Sequence, residues 1–145
     1  MIKDVLLVEA IDLNLPAKDK QDCFRLMAQK LYDNNKITNV EAFIRALNNR
    51  EKEGVTGMGE GLAIPHGLDG CVVTPTILFC RLKNPIKYES MDDSDVQKVF
   101  MIAVPKESGQ EHLKLIAMLA RKMLHKEFVT GLDDLQAKED ILKLL

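Results

Sequence analysis

Residues 54–67 read Gly-Val-Thr-Gly-Met-Gly-Glu-Gly-Leu-Ala-Ile-Pro-His-Gly. The glycines at 54, 57, 59 and 61 let the backbone bend sharply and approach a neighbour closely. The stretch then turns apolar. Leu62-Ala63-Ile64 predicts a short buried strand, and Pro65, with its φ fixed and no N–H to donate, predicts the strand's end. His66 is therefore expected at the mouth of a strand, braced by Pro65 and Gly67. Pattern alone leaves two readings of His66: a strand-end imidazole satisfied by a nearby carbonyl, or a reactive one. Neutral imidazole is a nucleophile near pH 7 without a strong base beside it, which gives the second reading its force.

Upstream of this stretch the periodicity is helical. Residues 17–34 place Phe24, Met27 and Leu31 on one face, with Pro16 where a first turn can begin and Asn34-Asn35 at the end. A second helix is expected from Thr38, with Glu41 completing a capping box, an apolar stripe of Val40, Phe43, Ile44 and Leu47, and an end near Arg50. Downstream, Ile77–Leu82 lies between Pro75 and Asn84-Pro85 and reads as a strand. Val99–Val104 is continuously apolar up to Pro105, which predicts a central strand buried on both faces. The acidic, polar segment 87–95 reads as a surface loop. A third helix is expected to start at Ser108 as N-cap, with Glu111 completing its capping box and Leu115, Ile116, Leu119 and Met123 forming its stripe. Residues 132–145 read as a last amphipathic helix through Leu135, Ile141, Leu142 and Leu145. Helices and strands alternate without repeats or linkers, so one α/β (or α+β) domain over residues 1–145 is expected.

Composition narrows the function. A chain of 145 residues with 46% hydrophobic and 29% charged residues is an ordinary single globular domain. A net charge of −2 gives no electrostatic case for nucleic acid or an anionic membrane as main partner. Apolar runs are far shorter than a bilayer span, and Met1-Ile2-Lys3-Asp4 opens without a signal-peptide pattern, so a cytoplasmic location is expected. Cys23, Cys71 and Cys80 form no C-x-x-C pair and are expected to be reduced, buried thiols.

Two other histidines and two polar residues bear on the site. His125, beside Lys122 and Lys126, reads as solvated. His112 falls in the first turn of the third helix, on its apolar stripe. It is either a core-edge histidine or a group at the anion-attracting end of that helix. Arg50 is either a helix C-terminal cation favoured by the dipole or a guanidinium reaching an anion near His66. Thr56 is a turn residue or a hydroxyl donor to that same anion. The glycine run is not followed by Lys-Ser or Lys-Thr and opens no helix as G-x-G-x-x-G, so nucleotide loops are disfavoured. Neither H-x-x-x-H nor H-E-x-x-H occurs, so no metal site is expected.

Together, Arg50-Glu51, the Thr56–Gly67 signature, Arg81–Ile86, Ala103-Val104-Pro105 and Glu111-His112-Leu113 resemble the enzyme IIA domain of the fructose–mannitol type, from the phosphoenolpyruvate-dependent sugar phosphotransferase system. The resemblance covers essentially the whole chain and implies a mixed sheet flanked by helices. It implies that His66 accepts a phosphoryl group from phospho-HPr and passes it to a IIB domain, usually onto a cysteine. It implies that His112 and Arg50 support that group, with Thr56 and Gly57 as further phosphate support, and that neither metal nor other cofactor is needed. The resemblance also implies a membrane IIC permease as an indirect partner that selects the sugar, and no direct membrane insertion. The alternative is a regulatory IIA, nitrogen-related or attached to a transcription regulator, using the same phosphohistidine as a signal. A non-catalytic α/β binding module is a third reading.

Overall fold

The computed structural model describes residues 2–145, apart from the side chain of Glu111. In chain order the elements are α1 (Ile2–Val5), β1 (Asp12–Leu15), α2 (Lys20–Asp33), α3 (Val40–Glu51), β2 (Gly57–Gly59), β3 (Leu62–Ala63), β4 (His66–Asp69), β5 (Thr76–Ile86), β6 (Val96–Pro105), α4 (Gly109–Lys122) and α5 (Lys126–Asp133). Two short 3-10 helices, Val8–Ala10 and Lys138–Lys143, complete the set. The strands form one mixed sheet in the order β1-β5-β6-β3-β2, with β4 also beside β6. β6 runs antiparallel to β5 and parallel to β3 and β4.

β6 organises the molecule. Val99 through Val104 are all fully buried, and alternate side chains of a strand point to opposite faces, so both faces of β6 are covered. Phe79 of β5 and Phe100 of β6 pack in the core with centroids 4.7 Å apart and ring planes tilted at 43°. α2 and α3 pack on each other and reach β5 and β4 respectively, while α4 reaches β6.

The decisive stretch folds differently from its expected form in one respect. β3 does stop before Pro65, but the pairing along β6 continues beyond it. Leu62 and Ala63 pair with Lys98 and Val99, and His66 and Gly67 pair with Ile102 and Ala103, so the register on β6 is unbroken. Pro65 removes an N–H but keeps its carbonyl, which accepts from Ile102 N at 3.0 Å. The line is interrupted at Ile64-Pro65 and resumes, and His66 opens a new strand segment rather than closing one.

Helix ends also depart from expectation. α2 begins at Lys20, not at residue 17, because Asp19 is the N-cap and accepts from Asp22 N at 2.8 Å. α3 is capped by Asn39, whose Oδ1 accepts from Ala42 N at 3.0 Å. The Thr38 hydroxyl instead donates to the Cys71 carbonyl, and Glu41 pairs with Arg25 at 2.7 Å. Ser108 occupies the N-cap position of α4 but makes no side-chain cap bond. Its expected capping partner, the Glu111 side chain, lies outside what the structure describes.

β5 runs on through Asn84-Pro85 to Ile86. The segment 87–95 is not wholly surface: Tyr88 and Ser90 are buried. The expected C-terminal helix over 132–145 is instead α5, ending at Asp133, followed by the 3-10 helix. Arg81 explains the break. The two N–H groups of its Nη1 are shared among the carbonyls of Leu132 and Asp133, orphan acceptors at the end of α5, and of Leu135 just beyond it. Cys23, Cys71 and Cys80 are free and buried.

Candidate functional site

The site begins with the packing of α3 on β4. A Cβ at Gly67 would lie 2.9 Å from Phe43 Cε1 and 3.2 Å from Ala46 Cβ. Glycine at this position therefore lets α3 lie close against the strand. That contact brings Arg50, in the last turn of α3, to His66, the first residue of β4. Arg50 Nε donates to His66 Nε2 at 3.0 Å, and Arg50 Nη1 donates to the Gly54 carbonyl at 3.0 Å.

These contacts fix the tautomer of His66. Its Nδ1 lies 2.9 Å from the Ile64 carbonyl, which can only accept, so Nδ1 carries the proton. Nε2 faces a guanidinium N–H, which can only donate, so Nε2 holds a lone pair. Burial lowers the pKa of His66 below its ordinary 6.5, and the Arg50 charge lowers it further, against the opposing pull of the Ile64 carbonyl. The ring is neutral near pH 7.

His112, in the first turn of α4, meets His66 edge-on, with ring centroids 5.0 Å apart and planes at 79°. Its pKa is also lowered, first by burial and then by His66 and Arg50. Among the described residues its Nε2 is a buried polar side-chain atom with no hydrogen-bond partner. An orphan of this kind costs about 1–3 kcal/mol, so it calls for an explanation.

The three residues open onto a cleft of about 670 Å³. Arg45, Asn49 and Glu53 add polar groups to its lining, while Ala42, Ala46 and Ile116 add apolar surface. Leu68 and Leu113, 40% and 65% exposed, give it an apolar rim. No group of three or more His, Cys, Asp or Glu side chains among the described residues is arranged to hold a metal. No helix among them is long and apolar enough to cross a membrane.

The structure thus brings His66, His112 and Arg50 together. It does not bring Thr56 or Gly57 to the cleft lining. Thr56 is 2% exposed, and its hydroxyl is engaged with Glu51 and Tyr88. Gly57 lies under the 87–95 segment, where a Cβ would meet the Glu89 carbonyl at 2.5 Å. His125 is exposed, as expected. Sequence reading missed Glu51 and Tyr88 as partners of this region. Their only signal was adjacency: Glu51 follows Arg50, and Tyr88 is an aromatic in an otherwise polar run.

Comparison with known proteins agrees with this geometry. The family described as phosphoenolpyruvate-dependent sugar phosphotransferase system, EIIA 2, matches residues 4–145. The chain is 31% identical over 144 residues to the PTS system fructose-specific EIIABC component of Bacillus subtilis (strain 168), covering 99% of this chain but only 23% of that protein. It is 30% identical over 144 residues to the PTS system fructose-specific EIIA component of Haloferax volcanii, covering 99% of this chain and 94% of that one. Among solved structures, the nitrogen regulatory protein IIA-Ntr of Neisseria meningitidis superposes with a TM-score of 0.90 at 28% identity, covering 99% of this chain and 97% of that one. With a family match over residues 4–145 and a histidine pair set against an arginine, this chain belongs to the type 2 EIIA family of the phosphoenolpyruvate-dependent sugar phosphotransferase system.

Proposed function

We propose that residues 1–145 act in the cytoplasm as one phosphocarrier domain, in which His66 accepts a phosphoryl group from phospho-HPr and delivers it to a IIB domain. The observation that carries this reading is the tautomer of His66. Its Nδ1 carries the proton and donates it to the Ile64 carbonyl, and a lone pair remains on Nε2 beside an open cleft. In the first transfer the N–P bond of the donor phosphohistidine breaks as an Nε2–P bond forms on His66. The donor ring, protonated on its second nitrogen, leaves as neutral imidazole. His66 keeps its Nδ1 proton, so no proton has to leave either ring. The second transfer moves the same group from Nε2 to the IIB nucleophile.

The transition state of such a transfer is loose, with charge spread over three equatorial oxygens, so donors and alignment do most of the work. Arg50 Nε covers the lone pair in the resting site. For attack it must release Nε2, and its fork of N–H groups then suits the phosphoryl oxygens. The unpartnered Nε2 of His112 is explained if it carries the ring's proton and donates to the same group on arrival. The apolar rim of Leu68 and Leu113 suits partners that exclude water while they dock. The fructose-specific EIIABC relative carries EIIA, EIIB and EIIC in one chain, which favours IIB as acceptor and IIC as an indirect partner.

Incubation with phosphoenolpyruvate, enzyme I and HPr is expected to leave one acid-labile phosphoryl group on the wild-type chain and none on His66→Ala. Undiminished labelling of His66→Ala would overturn the assignment. The likeness to IIA-Ntr favours a second reading, in which the same phosphohistidine governs binding to a regulated protein. Transfer of the label onward to a IIB cysteine separates the two: the carrier reading requires it, and the regulatory reading does not.

A further inference from the structure

Behind the cleft, four side chains close a polar circuit that phosphoryl transfer does not itself use. Glu51, at the end of α3, receives Lys20 Nζ on Oε1 at 2.6 Å. Its Oε2 accepts the Thr56 hydroxyl proton. A hydroxyl has one proton, so with Thr56 donating to Glu51, the Tyr88 hydroxyl must be the donor across the 2.5 Å contact to Thr56 Oγ1. Burial holds the Tyr88 phenol well above its ordinary range, so it keeps that proton. The Lys20 ammonium sits 4.5 Å from the Tyr88 ring centroid, which closes the circuit. The start of α2, the end of α3, the loop before β2 and the 87–95 segment are thereby tied at one buried point.

Both nitrogens of His66 hang from this point, each through a short link. Arg50, which covers Nε2, is the residue before Glu51. The Ile64 carbonyl, which holds Nδ1, belongs to a residue whose N–H donates to the Thr56 carbonyl at 2.9 Å. We propose that Thr56 is a positioning residue: through Glu51, Tyr88 and Lys20 it holds the Ile64 carbonyl and Arg50 so that His66 keeps its Nδ1–H tautomer and its ring orientation. Thr56 thus supports the phosphoryl group without touching it. The consequence for rate rests on His66 being the phosphoryl acceptor, whereas the consequence for tautomer does not.

The test pairs nitrogen NMR of histidine-labelled protein with phosphoryl uptake from phosphoenolpyruvate, enzyme I and HPr. In the wild type, the His66 signals are expected to show a protonated Nδ1 and an unprotonated Nε2. Thr56→Val, which keeps shape but loses the hydroxyl, is expected to mix the tautomers and to slow uptake by about tenfold, since small misplacements of a reacting group are costly. Thr56→Ser is expected to restore both. Tyr88→Phe leaves the Thr56–Glu51 bond in place and is expected to move the His66 signals in the same direction by less. If Thr56→Val lowers the melting temperature but leaves both the His66 signals and the uptake rate at wild-type values, the circuit is only a structural tie and the proposal fails. If Thr56→Val does not fold, Tyr88→Phe decides, and wild-type His66 signals in that variant overturn the proposal. A wild-type chain that takes up no phosphoryl group refutes the carrier reading alone, because the tautomer measurement still decides the role of Thr56.

Discussion

Arg50 and Glu51 are consecutive residues in the last turn of α3, yet they serve opposite kinds of surroundings. Around Glu51 every polar group is partnered: both carboxylate oxygens, the Thr56 hydroxyl and the Lys20 ammonium have partners, and the Tyr88 hydroxyl donates. Around Arg50 this does not hold. A single N–H covers the lone pair of His66, and His112 Nε2 is buried without a partner. Both regions are built from the same stretch of chain, so the difference is not one of foldability. Saturated polar groups stay where geometry has to be held, and unsaturated ones stand where another group has to arrive.

That contrast is most exposed to test on its open side. His66→Ala is expected to abolish phosphoryl uptake while the far-ultraviolet circular dichroism stays that of the folded chain. Arg50→Ala is expected next, slowing uptake by about 10²–10³, the usual loss when one donor to a developing anionic oxygen is removed. Arg50→Lys tests whether the fork or merely the charge matters. Lysine is a point charge without the planar fork, so it is expected to recover only part of the rate. Full recovery with lysine would reduce Arg50 to a counter-charge.

His112→Ala sharpens the contrast further, because it sets function against stability. Uptake is expected to slow by about ten- to a hundredfold, as for loss of a general positioning or proton-bearing group. Stability by urea denaturation is expected to change little, since the substitution also removes an unsatisfied buried atom. Thr56→Val should do the reverse on the stability axis. It leaves Glu51 and Tyr88 short of a partner in the saturated region and is expected to cost about 1–3 kcal/mol. Equal stability losses at the two positions would erase the distinction between the regions.

Much of this was readable in the sequence, for identifiable reasons. β6 was legible because a strand buried on both faces needs a continuous apolar run, and Val99–Val104 is one. The approach of Arg50 to His66 was one of two readings the residues left open, and the family resemblance favoured it; the Arg50–His66 hydrogen bond shows the two side chains in contact. What stayed hidden depended on choices between equivalent groups. Thr38 and Asn39 are both good caps, and only the backbone decides that Asn39 faces Ala42 N. The break after α5 is set by Arg81, a residue on a distant strand. Thr56 sits within the signature as any phosphate-binding hydroxyl would. Its true neighbours, Glu51 and Tyr88, come from elements whose packing no local pattern encodes.

The smallest expected effect is a dependence of stability on pH, and it belongs to the open side. Burial lowers the pKa of both His66 and His112 below 6.5. As pH falls through 6.5, the unfolded chain takes up these protons before the folded one does. The unfolded state then binds more protons, and stability declines until the folded histidines also titrate. The stabilisation is fully present above 6.5 and is lost on the acid side. One proton of difference corresponds to about 1.4 kcal/mol per pH unit, which bounds the slope His66 contributes. His112 is only half-buried, so solvent screens it and its share is smaller. Urea denaturation at pH 7.5 and 5.5 measures the sum, and carboxylates elsewhere contribute to it. The informative quantity is therefore the difference between wild type and His66→Gln, which keeps a polar side chain but cannot titrate. A shallower acid-side slope in His66→Gln is expected. An unchanged slope would mean that neither burial nor the Arg50 charge holds the His66 ring neutral on the acid side.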